Sequence, residues 1–353
     1  MPPSCQSMGR QNLKRKGIAI GMALALMACL LTGCGAARKE RFQASYLSLF
    51  DTVTTILGYE ENEAEFAETA QRIHDEMEEY DHLYDIYQEY PDLVNLCTIN
   101  RHPGETFTVD QRIIDLLQLC AEADAFSGHR TDAMMGAVLR LWHEAREEGI
   151  NNPEEAYLPD RAALEAAAAH TGFDRLEVDP EARTVRLTDP EASLDVGALA
   201  KGFAVQRVCE TLPEGYLLSV GGNVAATGPK PDGAGWIVGV QDPDAPGEAY
   251  LHKLLVSKGA VVTSGDYQRR YTVDGVAYHH IIDPETLFPG TKWRAVTVVA
   301  ADSGLADALS TTLFLMTREE GQALLTRYGA EAMWIAPDGA QMYSPGYEAY
   351  LQQ

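Results

Sequence analysis

Ala306-Asp307-Ala308-Leu309-Ser310-Thr311-Thr312, together with the upstream run Tyr278-His279-His280-Ile281-Ile282-Asp283-Pro284, is the stretch on which the reading of this chain turns. Leu305, Ala308, Leu309, Thr312 and Leu313 recur at helical spacing, so the later segment predicts a helix with Asp307 and Thr311 on one face. The earlier segment predicts a β-branched strand carrying its imidazoles toward its end, because Pro284 has no N–H to offer a ladder. A carboxylate and a hydroxyl one turn apart suit a small hard cation such as Mg2+, which takes few protein ligands and completes its shell with water and phosphate oxygens. A nearby imidazole would add a base. The same residues also read as a solvated helix carboxylate, a threonine bonded to its own turn and two satisfied strand histidines. Asp-xxx-Thr alone does not separate these readings.

The second chemical stretch lies upstream, at Ser193-Leu194-Asp195-Val196-Gly197-Ala198-Leu199-Ala200-Lys201-Gly202-Phe203. A strand ends, a glycine permits close approach of backbone to ligand, and a helix begins. Amides at a helix N-terminus favour an anion, and Lys201 adds a full positive charge in the first turn. The GxxxxGK[ST] spacing is absent, so the stretch reads either as a diphosphate cradle or as a plain strand-to-helix turn with a surface lysine. Ser219-Val220-Gly221-Gly222-Asn223 supplies a glycine turn with an amide side chain, and Tyr267 and Tyr271 flank Arg269 and Arg270.

Between these stretches the pattern alternates in character. Phe50 to Leu57 predicts an opening strand, and Phe66, Ala70, Ile73, Met77, Tyr80 and Tyr84 predict a long amphipathic helix. Asp110 caps a helix that Gly128 stops, Thr131-Asp132-Ala133-Met134-Met135-Gly136 opens the next, through Leu139 and Trp142, and Asp160 caps an alanine-rich one. Trp236 to Val240, Leu251 to Val256, Ala260 to Ser264 and Arg294 to Ala300 predict strands, several continuously apolar and therefore central. Helices concentrated in the first half and strands in the second favour α+β over a doubly wound sheet.

The N-terminus stands apart. Arg10, Lys14, Arg15 and Lys16 precede an apolar run from Gly17 to Leu31, and Leu31-Thr32-Gly33-Cys34 follows. The run is short for a membrane span. It resembles a bacterial lipoprotein signal, which implies cleavage of 1–33, lipidation of Cys34 and a tether over 34–46; an uncleaved anchor is the alternative. Removing 1–33 takes four of the 28 Lys and Arg and none of the 52 Asp and Glu, leaving a net charge of −28. Such a surface repels nucleic acid and a polybasic membrane contact, so the lipid would do the tethering. Cys97, Cys120 and Cys209 then remain, an odd number without CxxC spacing, which supports neither a disulfide framework nor a zinc site.

Five motifs occur in order: Asp-x-Gly-x-x-Ala-Lys-Gly at 195–202, Gly-Gly-Asn at 221–223, Ser-Gly-Asp-Tyr-x-Arg at 264–269, His-Ile-Ile-Asp-Pro at 280–284 and Ala-Asp-Ala-Leu-Ser-Thr at 306–311. Together, from about Leu47 to about Pro337, they resemble the ApbE-type FAD:protein FMN transferases, many of which are lipoproteins. The resemblance implies an α+β, T-fold-like architecture of mixed sheets with packed helices in two closely associated lobes, over a domain at 47–340 with a C-terminal tail at 341–353. It implies FAD as substrate, Mg2+ as cofactor and a secreted or membrane acceptor protein with an exposed Thr or Ser, which receives FMN while AMP leaves. Asp307, Thr311 and the backbone carbonyl of Ala198 would hold the metal, with Asp307 part of the catalytic apparatus. Asp195 and Lys201 would hold FAD, with Phe50, Tyr87, Asp132, Ala133, Met134 and Ile281 as further parts of its pocket. His280 would take the proton of the acceptor hydroxyl. Hydrolysis of FAD to FMN and AMP, and a non-catalytic flavin-binding lipoprotein, are the competing functions. The chain departs from the family pattern at Gln206, where Asp is usual, and at Glu285 and Leu287, where Arg and Gly are usual.

Overall fold

A computed structural model describes residues 39–352 except 48, 246 and 248. Strand β1 (Glu40–Leu47) pairs with β2 (Val53–Glu60) across a connection in which Phe50 and Asp51 are both left-handed. The Asn62 side chain accepts from the Glu65 amide to start α1 (Glu63–Tyr84), which buries the predicted stripe from Phe66 to Tyr84. Then come α2 (Leu96–Arg101), β3 (Phe107–Thr108) and α3 (Gln111–Ser127), the last capped by Asp110 and ended by left-handed Gly128. Helices α4 (Gly136–Asn151) and α5 (Arg161–Ala168) precede β4 (Leu176–Asp179) and β5 (Thr184–Leu187). After α6 (Ala200–Glu210), strands β6 (Tyr216–Val220) and β7 (Asn223–Ala226) join through Gly221 and Gly222, both at the positive φ that a two-residue hairpin turn demands. A hairpin of β8 (Trp236–Gln241) and β9 (Tyr250–Val256) leads to β10 (Gly259–Gly265). Two short hairpins follow, β11 (Tyr271–Val273) with β12 (Val276–Tyr278) and β13 (Ile282–Asp283) with β14 (Phe288–Pro289). The chain closes with β15 (Ala295–Ala300), α7 (Ser303–Leu315), α8 (Arg318–Tyr328), β16 (Glu331–Ile335) and β17 (Gln341–Tyr343).

The architecture is α+β. An eight-stranded antiparallel sheet runs in the order β1-β2-β6-β7-β10-β15-β16-β17. One face carries α1, α6 and α7 over the main apolar core; β15, buried along its whole length, sits under α7 as its apolar sequence demands. The β8–β9 hairpin and the segment around the buried Tyr347 cover part of the other face. A smaller core of Met135, Val138, Trp142, Leu164, Tyr271, Ile282 and Leu287 packs α4 and α5 against the short hairpins and forms the second lobe.

Three expectations need correction. His279 and His280 are not in a strand: His279 Nδ1 accepts from the Ile281 amide at 3.2 Å and its Nε2 bonds the Gly290 carbonyl at 2.8 Å, local bonds that displace a ladder. The region assigned to the tether, 34–46, includes Glu40 onward, which β1 takes into the sheet with all eight of its residues paired to β2. The residues assigned to a tail, 341–353, include β17, the fully buried Tyr347 and a bridge from Leu351 to Leu254. Cys34 and the apolar N-terminal run lie outside the described residues; among those described, no helix is long and apolar enough to cross a membrane.

Candidate functional site

Helices α6 and α7 meet unusually closely, and Gly202 is the reason. A Cβ there would stand 2.4 Å from Asp307 Cβ and 2.4 Å from the Ser303 carbonyl oxygen. With only hydrogen in that place, the Gly202 amide donates to Asp307 Oδ2 at 2.8 Å. Asp307 is buried, which raises its pKa, while the Lys201 charge, the Gly202 amide and the Asn223 amide oppose that rise. Asn223 is itself buried, and although its Nδ2 lies on the Asp307 side, it has no partner in good hydrogen-bond geometry.

One turn further on, the hydroxyls form a directed chain. Ser310 Oγ donates to the Asp307 carbonyl at 3.0 Å and lies 2.8 Å from Ser264 Oγ, which is 3.3 Å from Thr311 Oγ1. Each hydroxyl has one proton, so Ser264 donates to Ser310 and Thr311 donates to Ser264. The Thr311 lone pairs are thereby left for another partner. A buried carboxylate and a hydroxyl with free lone pairs, beside the cleft-lining Ala198, form an all-oxygen donor set, which fits Mg2+ better than a softer ion. Among the described residues no group of three or more His, Cys, Asp or Glu has metal-holding geometry.

These residues line a cleft of about 1030 Å³ that also receives Phe50, Tyr87, Asp132, Ala133, Asp195, Lys201, His280 and Ile281. Asp195 is fixed by its own amide, which donates to the Ala133 carbonyl at 2.7 Å, and by its Oδ1, which accepts from the Gly197 amide at 2.9 Å. Asp132 accepts from the Met134 amide at 2.7 Å, and burial pushes its carboxyl up to about 6. Met134 is a correction: its side chain is fully buried in the main core and does not line the cleft, so its contribution here is that amide.

The two imidazoles separate in role. His279 is tied on both ring nitrogens. His280 Nδ1 is sealed from solvent without a partner, and burial, followed by the charge of Arg269 and neighbouring cationic groups, pulls the ring down to about 3. It is therefore neutral at neutral pH and has no hydrogen-bond partner among the described residues.

The family departures acquire structural explanations. Gln206 Oε1 accepts from the Ser303 amide at 2.9 Å and so ties α6 to the start of α7. Leu287 takes the left-handed conformation (φ 63°) that a glycine would adopt freely; its carbonyl accepts from Trp142 Nε1 at 2.9 Å and its side chain is buried. Sequence reasoning gave no role to His143 or Arg146, which line the same cleft from α4. Both sit on a helix whose pattern signals only packing, and nothing in spacing alone marks them.

The profile of the ApbE family matches residues 50–334. The FAD:protein FMN transferase of Treponema pallidum is 28% identical over 94% of this chain and 95% of its own length. That of Klebsiella pneumoniae is 29% identical over 72% and 80%. The crystal structure of the ApbE protein of Thermotoga maritima superposes with a TM-score of 0.79 at 28% identity, covering 89% of this chain and all of that one. The flavin transferase ApbE of Vibrio cholerae gives 0.74 at 25% identity over 89% of this chain and all of that one. A match over so much of the sequence, with the same fold, means that the chain belongs to the ApbE family.

Proposed function

We propose that this chain is a Mg2+-dependent FAD:protein FMN transferase that acts on a Thr or Ser hydroxyl of an acceptor protein and is held by a lipid on Cys34, outside the cytoplasm. The observation that carries the reading is the convergence of Asp307, Thr311, Lys201 and the unbonded His280 on one cleft. Asp307, Thr311 and the Ala198 carbonyl would hold Mg2+. When bound, the ion supplies positive charge against the diphosphate oxygens. Lys201 makes no ion pair or hydrogen bond with the described residues, so its ammonium is available to a phosphoryl oxygen.

His280 accepts the proton of the acceptor hydroxyl as the new oxygen–phosphorus bond forms on the FMN phosphate. The bond from that phosphorus to the bridging oxygen breaks, and AMP departs with the electron pair. A ring held near 3 is a weak base; burial is the main cause, and the smaller part that comes from nearby cations such as Lys201 is what an incoming diphosphate would offset. Substrate binding thus moves the imidazole toward useful basicity.

Mass analysis of the full chain incubated with FAD, Mg2+ and a Thr-bearing acceptor tests the reading. FMN mass on the acceptor with stoichiometric AMP supports transfer. Free FMN plus AMP with an unmodified acceptor would make the protein a hydrolase, and bound FAD without AMP would make it a binding protein. Asp307→Ala should abolish turnover, while Lys201→Ala should chiefly weaken FAD binding.

A further inference from the structure

The hairpin of β8 and β9 has two unlike faces. Trp236, Val238, Val240, Leu254 and Val256 point inward and are buried against the large sheet. On the outward face Ile237 and Leu255 stand opposite each other in register, 50% and 47% exposed. Tyr250, 61% exposed, extends the patch: a Cβ on Gly239 would meet its ring at 2.4 Å, so the ring lies across that glycine, whose partner in register is Lys253. Outward positions of a solvated strand ordinarily carry polar residues, and a contiguous apolar group there marks a contact surface.

Charge sets this face apart from the rest of the chain. From Tyr250 to Gly265 the sequence holds two lysines, Lys253 and Lys258, and no acid, and β8 has none either, although the chain without 1–33 carries a net charge of −28. The acids between the two strands, Asp242, Asp244 and Glu248, belong to the turn, where Arg294 holds Asp244 at 2.7 Å. The opposite end of the hairpin is where the chain leads back toward Cys34. Lys39 Nζ lies 3.4 Å from Glu60 Oε2, and the adjacent Tyr59 packs on Trp236 with ring centroids 5.7 Å apart. Cys34 precedes Lys39 by five residues, and five extended residues span at most about 18 Å. A lipid on Cys34 therefore brings a bilayer within reach of Ile237 and Leu255.

We infer that the outward face of the β8–β9 hairpin rests on an anionic lipid surface, an inference that depends on the Cys34 anchor proposed above. Ile237, Leu255 and the Tyr250 ring enter the headgroup layer, and Lys253 and Lys258 lie beside the lipid phosphates. Three side chains are too few to hold the protein by themselves. The lipid supplies the attachment and the hairpin supplies the orientation. Because α6 and α7 lie on the other face of the sheet, Lys201 and Asp307 are then on the side away from the bilayer, where an acceptor protein can approach.

The four natural tryptophans, Trp142, Trp236, Trp293 and Trp334, are all buried, so a tryptophan added at the surface reports its own surroundings. The full lipidated chain is reconstituted in vesicles of phosphatidylglycerol and phosphatidylethanolamine, with or without bromine on the acyl chains. Leu255→Trp should lose about half of its added emission to the brominated chains, and Ile150→Trp, at a comparably exposed position of α4, should lose none. Tyr250→Asp combined with Leu255→Trp should restore the emission while the chain still floats with the vesicles. Equal quenching at both positions, or none at either in a chain that floats, would overturn the docking face and leave the anchor standing. A chain whose Cys34 carries no lipid by mass would sink both. Unquenched Leu255→Trp in a chain that sediments as a dimer, and that Tyr250→Asp converts to a monomer, would overturn the lipid contact and give the face to a second copy.

Discussion

Leu287 and His280 show how single residues carry opposing costs. A left-handed leucine costs about 1–2 kcal/mol, and Leu287→Gly would relieve it. The same change empties a buried site next to Trp142, where truncating a leucine costs about 2–5 kcal/mol. The second cost is larger, so Leu287→Gly should lower stability by about 1–3 kcal/mol, read by thermal or urea unfolding; a higher melting temperature would show that strain dominates. For His280 the sign follows from a folded pKa of about 3 below an unfolded value near 6.5. The neutral ring's contribution is present above pH 6.5 and is lost as pH falls from there toward 3, because only the unfolded chain takes up the proton. His280→Gln lacks that loss. Between pH 7 and 5 the variant should lose less stability than the parent, by on the order of 1 kcal/mol after allowing for solvent in the cleft. Parallel unfolding curves at the two pH values would refute the depressed ring.

At the scale of elements, the contact between α6 and α7 is what makes the Asp307 site. Gly202→Ala places a methyl group where backbone and Asp307 Cβ already stand, so the helices must separate and the Gly202 amide must leave the carboxylate. Overpacking of this kind costs about 1–3 kcal/mol. The variant should remain folded, bind Mn2+, used as a spectroscopic substitute, at least tenfold more weakly, and lose activity in step; undiminished Mn2+ affinity would mean that the helix contact does not set the site. The helices were legible in the sequence, because capping residues and a 3.6-residue period state them locally: Asp110 and Gly128 mark the bounds of α3 and Asp160 the start of α5, and the structure keeps them. Asp307 and Thr311 were legible for the same reason. What the sequence could not state was non-local. The edge strand β1 has a weak, half-exposed pattern and exists because β2 is there to pair with it. The histidine run has strand composition, but its backbone is claimed by the His279 ring and Gly290. His143 and Arg146 become legible only once Tyr87, some 56 residues away in sequence, is placed against them.

For the whole molecule, charge decides what the cleft can hold by itself. The chain carries 52 acidic against 28 basic side chains, and the cleft follows suit: Asp51, Asp81, Asp85, Asp132, Glu147, Asp195 and Asp307 line it against Arg130, Arg146, Lys201 and Arg269. Burial holds some of these acids partly protonated, with Asp81 and Asp132 raised to about 6, yet at pH 7.5 both are mostly ionised. A diphosphate entering that wall meets net repulsion unless a cation comes with it, and the oxygen set at Asp307 and Thr311 is where a divalent ion fits. FAD affinity should therefore depend on Mg2+ far more than on ionic strength. In a chelator at pH 7.5 the Kd should rise at least tenfold, and 0.5 M NaCl, which shortens the screening length to roughly 4 Å, should not restore it because screening does not supply a bridging ligand. Asp307→Asn keeps the shape of the site and removes its charge, so its FAD affinity should be low and indifferent to the chelator. Flavin fluorescence titrations of both proteins with and without chelator measure this directly. If the parent chain binds FAD equally well without divalent ions, the cationic side chains alone suffice and the metal has no place in substrate binding.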